Sequence, residues 1–286
     1  MGQLVVNGLL NAALIAPPAI AFTLLFGVLR FPNFAVGSFV TIGAYAAWTT
    51  NVTLGWPLGL AAAAAMVATA LAAWLAHRLV FRPIRRESSV TLLVVSVALA
   101  LVLENLVLLA YGNDVRSFDV PLTRPFVVQD VRVTVEQLWV LLGAIGLAAA
   151  VHALLAHSRL GRAMRATADD PDLAEVRGID TARVLAGTWL CAGALFGAAG
   201  VMAGLDLVIE PLVGWNLTIP IFAAAILGGV GSPYGAMLGA VLIGLAEEFT
   251  VLILPSTYKV AVSFVIIALL LLFRPNGLLG EAAVKR

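Results

Sequence analysis

The feature that most constrains this chain is a series of apolar stretches, each on the order of 20 residues long. A helix of that length crosses the hydrocarbon core of a bilayer. Ala, Leu, Val and Gly dominate the stretches, without the strict alternation of apolar and polar residues typical of a membrane-barrel strand. Because every backbone N–H and C=O must be satisfied internally in lipid, the pattern predicts an all-α, polytopic transmembrane helical bundle.

Composition supports a membrane location. Hydrophobic residues make up 62% of the chain and charged residues only 12%, against about 25% charged in soluble domains. One soluble core could not bury so much apolar surface, so membrane lipid is the expected surrounding. The net charge is +1 and no Lys/Arg-rich stretch occurs, which excludes a nucleic-acid partner on electrostatic grounds. We predict a single transmembrane domain over residues 1–286.

Gly, Pro and charged residues divide the apolar sequence into about nine candidate crossings. The predicted crossings are residues 5–29, 33–51, 56–80, 89–111, 136–157, 183–206, 217–230, 233–254 and 256–273. The seventh is short for a hydrocarbon core about 30 Å thick, and we expect a half-helix there. The predicted bundle therefore contains broken or short helices.

Basic residues near span ends stay on the cytoplasmic side of the membrane and so report orientation. The larger set is Arg30, Arg78, Arg82, Arg85, Arg86, Arg159, Arg162, Arg165, Arg177, Arg183, Arg274, Lys285 and Arg286. The opposite set is Arg116, Arg124, Arg132 and Lys259. This asymmetry predicts an N-terminus outside and a C-terminus in the cytoplasm. Residues 112–135, which include Pro121 and Pro125, then form an extracytoplasmic loop, either solvated or folded as a hairpin with a strand at 131–135.

Charged residues inside the predicted crossings are candidates for function, because a charge is costly in lipid. Glu104 lies in the fourth crossing, Glu247 and Glu248 lie in the eighth, and Lys259 lies just inside the ninth. At 1.5 Å per residue, Glu248 and Lys259 would both lie within roughly 10 Å of the outer surface. We expect a structural ion pair there. The alternative, a proton or cation relay, needs several acids along one path, which the sequence does not show.

The sequence carries no recognisable catalytic or metal-binding constellation. His77, His152 and His157 fall at predicted cytoplasmic span ends and belong to no HExxH-type or CxxC-type cluster. Cys191, the single cysteine, lies in an apolar run and is expected to be a packing residue. No serine elbow or Walker A phosphate loop occurs. We therefore expect a non-enzymatic chain without catalytic residues, metal or cofactor of its own.

Two segments rich in Gly and Pro, one in each half of the chain, interrupt the helices at residues 27–37 and 227–235. Each Gly weakens a helix by about 1 kcal/mol, so such segments are favoured where protein rather than lipid surrounds them. Paired breaks indicate a translocation path in transporters, whereas small residues also serve close helix packing, and both interpretations stay open. The candidate path residues are Asn33, Phe34, Gly37, Gly228, Gly229, Gly231 and Ser232.

The sharpest local signal is the predicted cytoplasmic loop at residues 158–182. Residues 162–166 have helix-forming character, and Asp170 before Pro171 is typical of an N-cap and first helical position. Gly178 is typical of a helix stop. A short amphipathic helix here predicts a docking element for a partner protein, with a helix lying on lipid headgroups as the alternative. The acidic residues that argue against anionic lipid are Asp169, Asp170, Asp172 and Glu175.

With these segments in place, the chain resembles the bacterial branched-chain amino acid ABC importer permeases of the shorter, LivH type. The blocks that carry the resemblance are Gly27-Val28-Leu29-Arg30, Asn33-Phe34-Ala35 with Gly37, Gly161-Arg162-Ala163-Met164-Arg165-Ala166, Gly178-Ile179-Asp180, Leu227-Gly228-Gly229 with Gly231-Ser232 and Gly235, Gly244-Leu245-Ala246-Glu247, and Phe273-Arg274-Pro275 with Gly277-Leu278. They extend over nearly the whole chain. Val36 departs from the pattern, since the family commonly has His there.

The resemblance implies a non-catalytic permease subunit that pairs with a second, LivM-like permease. It further implies two cytoplasmic ATPase subunits, which bind the ATP, and an extracytoplasmic solute-binding protein. The loop at 158–182 would be the ATPase-coupling segment, and the two broken segments would line the path. The coupling residues implied are Gly161, Arg162, Arg165, Asp169, Asp170, Glu175 and Gly178.

Branched-chain amino acids are the solutes that the resemblance implies first, and a related small amino acid or amide stays open. The alternative classes are an ion-coupled secondary amino-acid carrier and a channel. Either could contain broken helices, but neither needs the loop at 158–182.

Overall fold

The computed structural model describes residues 1–85, 87–120, 125–128, 131–274 and 277–279. Its helices are α1 (Gly2–Leu29), α2 (Val36–Trp48), α3 (Leu58–Ala76), α4 (Ser89–Tyr111), α5 (Val135–His157), α6 (Arg159–Asp169), α7 (Pro171–Val176), α8 (Thr181–Asp206), α9 (Val213–Gly228), α10 (Pro233–Thr250) and α11 (Lys259–Phe273). Two short strands, β1 (Phe126–Val128) and β2 (Val131–Val133), pair antiparallel. The predicted helical membrane bundle is confirmed.

Six helical stretches among the described residues are long and apolar enough to cross a membrane. They are Gly2–Leu29, Leu58–Phe81, Ser89–Tyr111, Val135–His157, Thr181–Asp206 and Ser256–Phe273. Short π-helical turns extend α2 to Thr53 and α3 to Phe81. The predicted short seventh crossing corresponds to α9, which begins earlier than expected, at Val213. The eighth corresponds to α10, which ends at Thr250, four residues before the predicted bound of 254.

The helices form a buried centre and an exposed periphery. Helices α1 and α8 are largely buried, whereas α4, α5 and α11 expose most of their surface. Small residues allow the central helices to approach closely. A Cβ added at Gly43 of α2 would lie 2.7 Å from the Cα of Gly197 in α8, closer than atoms can pack. The central helices are therefore locked by glycine contacts.

The predicted outer and inner loops lie at opposite ends of α1. At its start, Gln3 donates to the carbonyl of Arg132 at 3.2 Å and accepts from the Arg132 N–H at 2.8 Å, which attaches the β1–β2 hairpin. At its end, Arg30 contacts the last residues of α6. Of the two alternatives for the outer loop, the hairpin is the one present: β2 covers residues 131–133 of the strand suggested at 131–135, and Val135 already belongs to α5. The predicted orientation requires the two loops to lie at opposite ends of the bundle, as they do. Some residues used to predict the orientation lie outside the described ranges, namely Arg86, Pro121, Arg124, Lys285 and Arg286.

Candidate functional site

The loop at 158–182 folds as the two helices α6 and α7, each begun by a side-chain cap. The Ser158 hydroxyl accepts from the Gly161 N–H at 2.8 Å and starts α6. Asp170 caps α7, accepting from the N–H groups of Asp172 and Leu173, with Pro171 following it. Gly178 has a φ of 82°, which favours glycine and ends the segment. The predicted cap, proline position and stop are all confirmed. We call residues 158–182 the coupling segment, after the role that the resemblance implies.

The coupling segment is amphipathic in three dimensions. Its inner face contacts the bundle through Gly161, where an added Cβ would lie 2.3 Å from the Leu154 carbonyl oxygen. Its outer face carries exposed charged residues, and two apolar side chains lie among them, Leu173 and Val176, the second of them 83% exposed. The predicted coupling residues on the outer face are Arg162, Arg165, Asp169, Glu175 and Gly178. Exposed apolar residues beside charges are what a protein partner's groove can bury.

Glu175 differs from its neighbours because its carboxylate is held from within the chain. It accepts a hydrogen bond from the Thr181 hydroxyl at the start of α8. It also lies 4.0 Å from the Arg85 guanidinium, which follows α3. Glu175 therefore ties the coupling segment to two membrane helices.

Arg30 links α1 to the coupling segment. Its guanidinium donates to the carbonyls of Ala168 and Asp169 at 3.0 and 3.1 Å, where α6 ends and its carbonyls lack helical partners. Its backbone has a φ of 57°, the left-handed conformation that is uncommon outside glycine. In the sequence Arg30 served only as an orientation marker and as part of a motif, and its contact with α6, which is distant along the chain, had no local signal.

Residues 30–35, which we call the first break, separate α1 from α2. The Asn33 side chain accepts from the Ala35 N–H at 3.0 Å, and the Phe34 N–H donates to the Ser96 hydroxyl of α4 at 3.0 Å. The Phe34 ring packs edge-on against Phe222 of α9, with 4.7 Å between ring centroids. Side chains from several elements therefore hold this non-helical backbone in place.

Just beyond the first break, α2 and α9 begin side by side and run in opposite directions. An added Cβ on Gly37 would lie 2.4 Å from the Gly214 carbonyl oxygen and 2.2 Å from the Thr218 hydroxyl. The Gly214 N–H, in the first turn of α9, donates to the Thr41 hydroxyl of α2 at 3.1 Å. Thr41 thus supplies the N-terminal capping contact of α9 from a different helix. Sequence reasoning missed Thr41, because the contact joins residues far apart in the chain.

Residues 229–232, the second break, separate α9 from α10 and are held mainly by backbone contacts. An added Cβ on Gly228 would lie 2.0 Å from the Gly235 carbonyl oxygen. Gly229 and Gly231 both have positive φ, at 109° and 92°. The Ser232 hydroxyl accepts from the Gly235 N–H at 3.1 Å and begins α10. These contacts fit the close-packing interpretation, and a role in lining a path stays a prediction.

The residues after α11 pack on the second break. Gly277 approaches so closely that an added Cβ would lie 2.5 Å from the Cα of Gly229. The N–H groups of Leu278 and Leu279 donate to the carbonyls of Leu227 and Gly228, each at 2.9 Å. Two blocks that were separate in the sequence resemblance therefore form one contact.

A cavity of about 220 Å³ lies between the first break and the coupling segment. Arg30 and Phe31 line it from the break, and Thr167 and Pro171 line it from α6 and α7. The cavity also borders His77, at the end of α3. The cavity therefore separates part of the coupling segment from the first break.

The buried acids of α10 form a polar cluster at the far end of the bundle. Asn11 of α1 donates to Glu247 at 2.7 Å, and Ser263 of α11 donates to the same carboxylate. Glu248 pairs with Lys259 at 2.8 Å, which confirms the ion pair expected from the sequence. The cluster joins α1, α10 and α11 without lining either of the cavities described among these residues.

With this geometry established, comparison with known proteins decides the family. Residues 4–273 match the family described as the permease component of branched-chain amino acid transport systems. The chain belongs to this family. The resemblance noted in the sequence is thereby confirmed. The chain is a multi-pass membrane permease and not an enzyme.

Relatives of this permease agree over almost their full length. The high-affinity branched-chain amino acid transport system permease protein BraD of Pseudomonas aeruginosa is 32% identical, with 99% of this chain and 97% of BraD covered. The corresponding LivH of Escherichia coli K12 is 33% identical with the same coverage. A probable LivH of Methanocaldococcus jannaschii is 29% identical over 92% of this chain and 87% of its own. No solved structure matches the chain.

Proposed function

We propose that this permease is the membrane subunit of an ATP-driven importer for branched-chain amino acids in the cytoplasmic membrane, with the coupling segment facing the cytoplasm. The observation that carries the proposal is the coupling segment itself. It is folded and capped, anchored to the bundle on one face, and exposes Leu173 and Val176 among charged residues on the other. A carrier or a channel has no use for such a surface.

The proposed partners are those that the family resemblance implies, and the exposed face of the coupling segment and the relatives' names as parts of transport systems support them. Two ATPase subunits would bind on the cytoplasmic side, one of them on the coupling segment, and a second, LivM-like permease would complete the membrane part. An extracytoplasmic solute-binding protein would deliver the solute at the end that carries the β1–β2 hairpin. The related BraD and LivH proteins are named as permeases for branched-chain amino acids, and we propose the same solute class here.

The contacts suggest how ATPase movement reaches the bundle. Displacement of α6 would pull on Arg30, whose guanidinium is held by the carbonyls of Ala168 and Asp169. Arg30 begins the first break, so its movement would shift residues 30–35 against α4 and α9, where Phe34 packs. The cavity beside Arg30 gives this motion space. In this mechanism the first break is the gate and the coupling segment is the lever that moves it. The hydrogen bond between Thr181 and Glu175 holds the other end of the segment at the start of α8.

The proposal is tested by removing only the exposed apolar contacts of the coupling segment. The double substitution Leu173→Ser with Val176→Ser leaves the Asp170 cap of α7 and the hydrogen bonds of Arg30 and Glu175 in place. We expect recovery of the ATPase subunit with the purified permease, and ATP-driven leucine uptake by proteoliposomes, to fall at least about tenfold, because each buried apolar side chain is worth about 1.5–3 kcal/mol.

The matched control replaces exposed apolar residues near the opposite end, Leu54→Ser with Val115→Ser. We expect ATPase recovery to be unchanged by it. Unchanged ATPase recovery and uptake in the Leu173/Val176 variant would contradict the proposal, as would a wild-type permease that transports leucine with no ATPase subunit present.

A further inference from the structure

Helix α4 carries a charge where a lipid-facing helix should have none. Glu104 lies four residues beyond Ala100, the midpoint of Ser89–Tyr111, or about 6 Å from the centre of the helix. Its carboxylate makes no hydrogen bond or ion pair with the residues that the structure describes, and it is partly exposed. The neighbouring Asn105 is exposed and donates only to the Leu101 carbonyl of its own helix. An unpaired acid at this depth is costly in hydrocarbon and calls for a protein partner.

The other exposed helices lack this feature. Helix α3 contains no charged residue, and Glu136 of α5 and Lys259 of α11 stand at the helix ends. His152, further inside α5, has a hydrogen-bond partner in Tyr234 at 2.9 Å. Lys259 is moreover paired with Glu248. The exposed surfaces of α3, α5 and α11 therefore indicate contact with lipid, whereas α4 differs because it carries Glu104.

Glu104 belongs to a stripe with the spacing of a helix-packing seam. Successive members are separated by four and three residues alternately, which places them on one side of the helix, as in heptad packing. We call this stripe the α4 seam, and its members are Val90, Val94, Val97, Leu101, Glu104 and Leu108. It lies beside the buried line of Ser96 and Ala100, which contact the first break and α2, so a partner on the seam would touch the wall of the gate. A single polar residue in an apolar seam fixes partner and register.

We propose that the α4 seam is the surface that receives the second membrane-spanning subunit, a different chain that presents a cationic or hydrogen-bond-donating side chain to Glu104. A second copy of this permease fits less well, because a twofold interface places each seam on itself and brings the two Glu104 carboxylates together. This inference rests on the proposed function, since it requires a heteromeric transporter, and it adds the location and chemistry of the contact.

Photo-crosslinking tests the location. A benzophenone amino acid replaces Leu101 in α4 or Ile145 in α5, which are 50% and 59% exposed and lie next to the midpoints of their helices. After irradiation of the assembled transporter in native membranes, we expect the Leu101 probe to give one discrete protein adduct. Mass spectrometry should identify it as another polytopic membrane chain. The Ile145 probe should give no protein adduct.

A second measurement tests the chemistry of Glu104. Glu104→Leu makes α4 more apolar, so membrane insertion is favoured and a loss of partner cannot come from failed insertion. We expect recovery of the second membrane subunit to fall roughly five- to thirtyfold, the range for an interhelical hydrogen bond in a membrane. Glu104→Gln, which keeps an acceptor, should retain most of it.

Two results would overturn the inference: no protein adduct at Leu101, or an adduct with another copy of this chain. The ATPase subunit is quantified in the same samples. If it is recovered while Leu101 gives no adduct, the α4 seam is wrong and the proposed function stands. If it is absent from the wild-type transporter, the proposed function itself fails.

Discussion

The two breaks of this permease look alike in the sequence and are built differently. The first break is held by side chains, with Arg30 bound to α6, Phe34 packed on Phe222, and the Phe34 N–H bound to Ser96. The second break is held by backbone, with Gly228 against Gly235 and Gly229 against Gly277. Side-chain contacts can be remade when neighbouring elements shift, whereas interlocked glycine backbones leave no room for movement. We therefore propose that the first break, whose residues 30–35 contain no glycine, serves as a gate, and that the second break serves as a fixed joint.

Gly228→Val is the substitution with the largest expected effect, and it tests the fixed joint. The new Cβ would lie 2.0 Å from the Gly235 carbonyl oxygen, and no rotamer relieves an overlap with backbone. We expect destabilisation of about 3 kcal/mol or more, seen as loss of monodisperse permease on heating in detergent. Gly146→Val is the control, because no atom of another helix among the described residues lies within 4 Å of its added Cβ. Equal heat stability of the two variants would contradict the assignment of the second break as a fixed joint.

Arg30→Ala tests the gate. It removes both hydrogen bonds to the end of α6 while leaving the exposed face of the coupling segment unchanged. We expect ATP-driven uptake to fall about tenfold or more, since interactions of a charged group are worth about 1.5–3 kcal/mol, while the ATPase subunit still co-purifies.

Two further variants separate the possible causes of that loss. Arg30→Gly also removes the side chain but suits the left-handed backbone, so it should lose uptake equally if the guanidinium matters. Arg132→Ala, at the opposite end, should transport normally. Loss of ATPase binding in Arg30→Ala would show that Arg30 shapes the docking surface and is not a link to the gate.

Glu247→Ala extends the comparison to the far end of α10. The substitution leaves Asn11 and Ser263 without their acceptor, and we expect a loss of about 1–3 kcal/mol in the free energy of unfolding. Glu247→Gln, which can still accept, should cost less. Uptake per folded molecule should stay normal in both, because the hydrogen bonds of the cluster involve neither break. Normal stability with lost uptake would instead favour a proton or cation relay.

Thr41→Val has the smallest expected effect. It tests the contact between α2, which follows the first break, and α9, which precedes the second. It removes the hydroxyl that caps the Gly214 N–H of α9, at a cost of about 1 kcal/mol. Thr218→Val is the matched control, because its hydroxyl donates only to the Gly214 carbonyl four residues earlier in its own helix. We expect Thr41→Val to lower the thermal unfolding temperature more than Thr218→Val does. A larger loss for Thr218→Val would contradict the assignment of Thr41 as the cap.

Features encoded within a few residues were predictable from the sequence. The cap at Asp170, the proline after it and the stop at Gly178 depend on local backbone chemistry, and each was found in place. The Glu248–Lys259 pair was also predictable, since helical rise alone puts both residues near one end of adjoining helices. Span ends were less reliable, because tertiary contacts decide where α9 begins and α10 ends.

Contacts between distant residues could not be predicted. Thr41 caps a helix that begins far along the chain, and Gly277 packs on Gly229 only after α10 and α11 have folded back. The glycines in or beside the two breaks illustrate the limit most clearly. Their abundance predicted irregular backbone. How tightly Gly37 and Gly228 are enclosed depends on neighbours from other parts of the chain, which only the structure shows.

Sidedness of the coupling segment tests the central claim most directly. Val176→Cys, in a Cys191→Ser background that removes the single native cysteine, is treated with a membrane-impermeant maleimide. We predict labelling in inside-out vesicles, blocked when the ATPase subunit is bound, and none in intact spheroplasts. Labelling from the outside of spheroplasts, or labelling that bound ATPase leaves unchanged, would contradict the account.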